Sequence, residues 1–462
     1  MQRRLLAPLV CGLAVGLLSC HPGAPKPNVI LVLVDTLRAD RLGAYGNQQG
    51  LTPFLDELAA RGVVFKNVYA NSSWTVPSIA SLFTSRFPSQ HHVTTFDSKL
   101  ADGEVTLAER LQSAGYQTVG MQANFRLTRE LGYAQGFATW NVVRGPVTKV
   151  RGDRIREATL WWMDRNATPA SPQAPLFLYL HYMEPHSPYE PPSPFRERFG
   201  RTADGVDVAS ANALMRTINF RAFTPSMVDV LSSLYDGEVA AVDAELRTMF
   251  ADLQQRGLLA DSVVVITADH GEEFKEHGRM AHGHALFNET LRVPLIVLAP
   301  GLPGGKVIEN NVSLIDVAPT ILALAGLPKQ ATFEGQSLLP MITAGSPVEW
   351  LRSLTSPPPD VISELPKTGS TMDIRAHSRA LLRGPNKLVM ELRGPDRTEV
   401  PEVFNLRDDP GEMSPQHPAS DTLQVALQTR SEALAKRGAA VAETGVVDDA
   451  TKEKLRALGY HF

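Results

Sequence analysis

Two continuous apolar runs, each closed by an acidic residue, constrain this chain more than any other feature. Residues 28–34 read Asn-Val-Ile-Leu-Val-Leu-Val and stop at Asp35; residues 263–267 stop at Ala268-Asp269-His270-Gly271-Glu272. A half-solvated strand would alternate apolar and polar residues. Unbroken β-branched runs therefore belong to strands buried on both faces, as in a parallel sheet covered by helices. Residues 63–69, 117–122, 176–180 and 293–298 read as further strands. Helices are predicted over 53–61, 107–114, 150–165 and 227–256, with Gly62, Gly115 and Gly257 as stops after three of them. This alternation predicts an α/β fold with a doubly wound, mostly parallel sheet. Ligands gather at the carboxyl ends of strands in such sheets, where Asp35 and Asp269 lie.

At 462 residues the chain accommodates a large catalytic domain at 28–342. A Gly/Ser/Pro-rich linker at 343–375 and a smaller C-terminal α+β subdomain at 376–462 follow, with short strands within 379–392 and 403–406 and a helix at 421–436. A net charge of −4 offers no basic excess for nucleic acid or an anionic bilayer. Arg3-Arg4 precede 14 mostly apolar residues, 5–18, and then Leu17-Leu18-Ser19-Cys20. A membrane span needs about 20 residues, and Pro8 and Gly12 interrupt this shorter run, so residues 1–19 suit a signal peptide better than an anchor helix. The ending resembles a bacterial lipobox, with Cys20 acylated and residues 20–27 as a tether. A lipid-anchored protein on the periplasmic or extracellular face of a bacterial membrane is expected, and His21 in place of Asp favours the outer membrane. The two cysteines are Cys11 and Cys20, so the domain itself has no thiol for a disulfide, a zinc site or a nucleophile.

The chemistry centres on residues 71–86, Asn-Ser-Ser-Trp-Thr-Val-Pro-Ser-Ile-Ala-Ser-Leu-Phe-Thr-Ser-Arg. Pro77 suits a first helical turn, residues 78–84 continue as an apolar helix, and Thr75 is placed just before it. Outward N–H groups and partial positive charge collect there and would stabilise an alkoxide or the anionic oxygens of an ester. Asp35, Asp269, His270 and the Thr75 hydroxyl form an O/N donor set for one divalent cation, Mn, Zn or Mg. Metal contact would lower the hydroxyl pKa. His181 and His186 flank a proline-rich loop, and His277, His282 and His284 follow Asp269. His181, His186 and His284 are expected to bind substrate, with His186 and His284 as the catalytic candidates. Trp161 and Trp162 are assigned to the core, and residues 200–222 to an insertion or lid.

Several of these segments resemble the sulfatase family of the alkaline phosphatase superfamily. They are Val34-Asp35-Thr36-Leu37-Arg38-Ala39-Asp40, the Pro77 to Arg86 helix, His181-Tyr182-Met183-Glu184-Pro185-His186, Ala268-Asp269-His270-Gly271-Glu272, His282-Gly283-His284 and Arg292-Val293-Pro294-Leu295. Residues 403–412 and Leu458-Gly459-Tyr460 resemble the family's closing segments. The resemblance implies a metal-assisted ester-cleaving site, and the departures from it matter. Sulfatases carry Cys or Ser, one residue, Pro or Ala, one residue, then Arg, and oxidise the first residue to formylglycine. Here those positions read Thr75-Val76-Pro77-Ser78-Ile79, and threonine cannot give that aldehyde. The paired Asp-Asp and Asp-Asn of calcium sulfatases are Asp35-Thr36 and Asp269-His270, which moves preference from calcium toward transition metals. The superfamily's threonine-nucleophile members, phosphodiesterases and phosphoglycerol or phosphoethanolamine transferases, imply attack by a metal-bound Thr75. Asp243 and His284 could add to a second metal, but one metal is expected. The substrate would be a small-molecule, glycan or lipid ester. A silent, sulfatase-like lipoprotein that binds an anionic glycan is the alternative.

Overall fold

The computed structural model describes residues 26–444, apart from 146–148, 167–173, 216, 218, 345–359, 366–377, 394–397, 417–420 and 438–442. The signal peptide, the lipobox with Cys20 and the closing Leu458-Gly459-Tyr460 lie outside the described residues.

Eight strands form the central sheet: β1 Asn28–Val34, β2 Val63–Tyr69, β3 Gln117–Gln122, β4 Thr139–Val142, β5 Leu176–Tyr182, β6 Ser262–Thr267, β7 Arg292–Leu298 and β8 Lys306–Ser313. Their order is β8-β2-β7-β6-β1-β5-β3-β4. All run in one direction except β7, which is antiparallel to both β2 and β6. β1, at the middle, has Val29 to Val34 fully buried, as its unbroken apolar run requires. Helices α1 Pro53–Arg61, α2 Thr75–Thr84, α3 Leu107–Ser113, α4 Gly152–Asn166 and α5 Pro225–Gln255 belong to this domain.

The predicted strands are all present. β4 and β8 were not expected: both are edge strands with polar positions, β4 of only 4 residues, and their burial depends on a neighbour the sequence does not display. Residues 200–222 contain a helix, Val208–Leu214, and a 3-10 turn, Phe220–Ala222. Trp162 is buried as expected, but Trp161 is 58% exposed and carries the Arg165 guanidinium over its ring at 4.1 Å. Adjacent residues on a helix point about 100° apart, so only one of the pair can face the sheet.

A second, antiparallel sheet comprises β9 Val361–Leu365, β10 Ser378–Arg383, β11 Asn386–Arg393 and β12 Thr398–Asn405, with helix α6 Asp421–Ala435. β9 lies inside the segment read as linker, because flanking Ser and Pro residues and its own Ser363 and Glu364 mask a five-residue strand. It reaches the first domain just ahead of Thr75. Asn71 Nδ2 donates to the Ile362 carbonyl (3.0 Å), the Glu364 amide to the Asn71 carbonyl (2.8 Å), and Ser363 Oγ to the Ala70 carbonyl (2.6 Å). The same subdomain braces the loop between β6 and β7. Lys387 and Glu412, both fully buried at the side chain, pair at 2.7 Å, Lys387 Nζ donates to Asn288 Oδ1, and Glu412 Oε2 accepts the Asn288 amide.

Removing one partner of a buried pair strands the other charge at about 3–5 kcal/mol. Lys387→Met is therefore expected to lower unfolding free energy by about that amount in urea denaturation. A loss within about 0.5 kcal/mol, ordinary for surface substitutions, would show that the pair does not brace this contact.

Candidate active site

Four strand ends converge. Asp35 follows β1, Asn124 lies just past β3, His181 is in β5, and Asp269 lies just past β6. Each aspartate commits one oxygen to the protein and leaves the other over. Asp35 Oδ2 accepts from His181 Nε2 (3.2 Å) and Asn124 Nδ2 (3.1 Å). Asp269 Oδ1 accepts the amides of Thr36 (3.2 Å) and His270 (3.0 Å). The Thr36 amide reaches it from a left-handed backbone (φ 58°), a conformation that costs a β-branched residue about 1–3 kcal/mol. Tyr235 holds that turn by donating its hydroxyl to the Thr36 carbonyl (2.7 Å).

The remaining oxygens, Asp35 Oδ1 and Asp269 Oδ2, are buried and have no hydrogen-bond partner among the described residues. Both face His270 Nε2, at 3.9 and 3.3 Å, and Thr75 Oγ1 lies 3.2 Å from the same nitrogen. His270 Nδ1 donates to the Gly271 carbonyl (2.9 Å), which leaves the Nε2 lone pair pointing into the cluster. Asp35, Asp269 and His270 offer ligand atoms all within 4.8 Å of one another. Two orphaned carboxylate oxygens, a bare imidazole nitrogen and a hydroxyl form a donor set that fits one divalent cation.

The electrostatics agree. Burial alone raises the Asp35 carboxyl, but the His181 hydrogen bond and the facing imidazoles of His186, His181 and His270 outweigh it and hold it low. Burial, then the Asp35 charge, pushes Asp269 well above the carboxylate range against the amides that favour its ionised form. Burial pushes His270 down to about 3, so it is a neutral, ligand-ready imidazole.

Thr75 is itself the first residue of α2, with Trp74 extended at the N-cap, so the helix begins two residues before Pro77 and includes Thr75. Ser78 Oγ donates to the Asp269 carbonyl (2.6 Å) and ties α2 to the end of β6. Asp35, Asp269 and His270 are fully buried, whereas Thr75 and His186 each keep 7% exposure, so the cluster opens to solvent at the hydroxyl and that imidazole.

The histidines divide by position. His186 is neutralised by burial, and its Nδ1 donates to the Ser187 carbonyl (2.6 Å). His282, whose ring centroid lies 4.4 Å from His270 and 5.0 Å from His186, pairs through Nδ1 with Glu272 Oε1 (2.7 Å). Burial opposes its charge, but Glu272 prevails and raises its pKa. His284 sits on Phe220 at 5.0 Å and is pushed down to about 4 by burial and by His282 and Arg279. His277 turns away to Glu289 (2.7 Å) and the Glu412 carbonyl (3.0 Å).

Two expectations change. His181 is fully buried with Nε2 on Asp35 and Nδ1 accepting from the Tyr179 hydroxyl (3.0 Å), so it positions the Asp35 carboxylate and presents no free nitrogen to a substrate. Asp243 caps α1 by accepting the amides of Phe54 (3.0 Å) and Leu55 (2.8 Å), away from the cluster. Sequence reasoning passed over Asn124, which no motif marks, and set His282 behind His284. The Glu272 partner, inside Asp269-His270-Gly271-Glu272, was the available signal for His282.

Residues 27–327 match the sulfatase family model. Arylsulfatase K of Canis lupus familiaris is 27% identical over 442 residues, covering 85% of this chain and 79% of the relative. Arylsulfatase K of Homo sapiens is 25% identical over 457 residues, covering 88% and 83%. Among solved structures, the phosphonate monoester hydrolase of Agrobacterium radiobacter superposes with a TM-score of 0.70 at 20% identity, covering 91% of this chain and 97% of that one. BT4656, solved with its substrate D-glucosamine-2-N,6-O-disulfate, gives 0.67 at 18%, covering 89% and 98%.

Because Asp269 holds a proton at pH values where a free carboxyl would not, proton and cation compete for it. Divalent-ion affinity is expected to strengthen as pH rises toward that carboxyl's pKa, with proton uptake on metal removal, in titration calorimetry in buffers of differing ionisation enthalpy. Affinity independent of pH, or retained in Asp269→Asn, would place the ion elsewhere.

Proposed function

Because the chain belongs to the sulfatase family of ester hydrolases, we propose that it cleaves phosphate esters, phosphodiesters foremost, with Thr75 as the attacking oxygen. The observation that carries this reading is Thr75 Oγ1, 3.2 Å from His270 Nε2, beside two unpartnered carboxylate oxygens and at the first turn of α2. Asp35 Oδ1, Asp269 Oδ2, His270 Nε2 and Thr75 Oγ1 would hold one divalent ion. When bound, it would lower the hydroxyl pKa and offset anionic charge. Mn, Zn or Mg suits this oxygen and imidazole set better than Ca.

The chain's own residues do the rest. Thr75 gives its hydroxyl proton to solvent, and its Oγ bonds to phosphorus as the bond from phosphorus to the leaving oxygen breaks. His282, kept charged by Glu272, gives its Nε2 proton to the leaving oxygen, a role the sequence reading divided between His186 and His284. The bare Nε2 of His186 accepts a hydrogen bond at the mouth of the site, and His284 with Phe220 forms its outer wall. Water then attacks phosphorus and gives one proton to His282, the Oγ–P bond breaks as phosphate leaves, and Thr75 Oγ takes back a proton from solvent. A formylglycine route has no residue to start from, since the domain lacks cysteine and the position is Thr75.

Sulfate esters are the second substrate class, favoured by the arylsulfatase relatives and opposed by Ile79, where the family pattern carries an anion-holding Arg. A silent binding protein has no need of an intact donor set. The Leu17-Leu18-Ser19-Cys20 ending supports attachment to a bacterial membrane through acylated Cys20.

Protein beginning at His21, stripped of metal and resupplied with Mn²⁺ or Zn²⁺, is expected to turn over an aryl phosphodiester faster than an aryl sulfate. Thr75→Ala is expected to cost about a thousandfold or more in kcat/KM. Preferential sulfate turnover would overturn the substrate assignment, and undiminished turnover in Thr75→Ala the nucleophile.

The His282 proton is present below its raised pKa and lost as pH rises through it. Activity should therefore fall on the alkaline side, and His282→Gln should lower kcat and remove that limb. A wild-type limb that persists in His282→Gln would assign the proton to another group.

A further inference from the structure

The loop that carries His186 cannot hold itself. Pro185 and Pro188 lack amide protons, and the backbone bond inside the turn is the His186 amide to the Met183 carbonyl (2.9 Å). The carbonyls of His186 and Pro188 therefore need donors from outside, and both are met by one group. Lys149 Nζ donates to the His186 carbonyl (3.1 Å), to the Pro188 carbonyl (2.7 Å) and to Glu238 Oε1 (2.6 Å). An ammonium has three protons, and all three are committed. Glu238, from the middle of α5 and fully buried, also accepts the Glu190 amide (2.8 Å). At the other end of the loop, Glu184 Oε1 accepts the Gly152 amide (2.8 Å).

Such a pair is a poor choice for stability alone. Desolvating an ammonium and a carboxylate costs about as much as their attraction returns, and apolar residues of similar volume commonly do as well. What an apolar pair cannot do is donate to two carbonyls either side of an imidazole.

We propose that Lys149 and Glu238 form a buried clamp that sets the position of His186, with Lys149 as a positioning residue for the ester-cleaving site. The inference rests on the role given to His186 above. Lys149 touches neither the metal cluster nor Thr75 through any of its three bonds, so its effect on catalysis runs through the loop.

The test separates positioning from folding. Lys149→Met leaves Glu238 buried without a counter-charge and should lower the melting temperature. Lys149→Met/Glu238→Gln removes both charges and keeps an acceptor for the Glu190 amide, so the melting temperature should return most of the way to wild type. Amide exchange across 184–190 should nevertheless stay about tenfold faster than wild type. With metal content unchanged, kcat should remain about tenfold down, and adding His186→Ala should bring little further loss, since both changes remove one contribution. Recovery of wild-type exchange and kcat together with stability would overturn the clamp. So would a full further loss on adding His186→Ala. Faster exchange in the double variant, with kcat of the otherwise wild-type protein unaffected by His186→Ala alone, would keep the clamp and remove the role assigned to His186.

Discussion

Two carboxylates, Asp35 and Asp269, are brought together at the ends of adjacent central strands, β1 and β6, with water excluded from both. Like charges in low dielectric cannot both ionise without compensation, and here one carboxyl is held low while the other is pushed well up. The surrounding structure supplies partial compensation to one oxygen of each: His181 and Asn124 on Asp35, backbone amides on Asp269. It leaves the inner pair of oxygens bare against a neutral imidazole. The need to hold that acidic pair together organises the rest of the site. The strained Thr36 turn, the Tyr235 bond that holds it and the Ser78 link to α2 all keep the acidic pair in register with Thr75.

Much of this was legible in the sequence because the relevant signals are local. A β-branched run ending in Asp reports a buried strand and its carboxyl end without any knowledge of neighbours, and Asp35, Asp269 and His270 are placed by that logic alone. Thr75 needed more than the loop-to-helix transition, because a hydroxyl there reads on its own as an ordinary N-cap; the acidic strand ends single it out. What could not be read depends on partners distant in the chain. What His181 and His282 bond is decided by partners far away in sequence or brought in by the fold: Asp35 and Tyr179 for His181, Glu272 for His282. The same holds for Lys387, whose lone charge in a strand is explained by Glu412. The acidic Asp243 reads as a metal ligand on its own helix and becomes a cap only when α1 packs against it.

The C-terminal subdomain is part of the active site's support although it contributes no residue to the cluster. Through β9 it fixes Asn71 at the entry to the Thr75 segment. Through Lys387 and Glu412 it fixes Asn288 in the segment that follows His282. The segments carrying Thr75 and His282 are thus referenced to one small sheet.

The most direct test of the account is to quench the metal-loaded enzyme in acid during turnover of an aryl phosphodiester and map the modified peptide by mass spectrometry. The account predicts a phosphoryl group on Thr75, absent in Thr75→Ala. Rapid turnover with Thr75 unmodified, under conditions where breakdown of the intermediate is slowed, would contradict it and make water the attacking group.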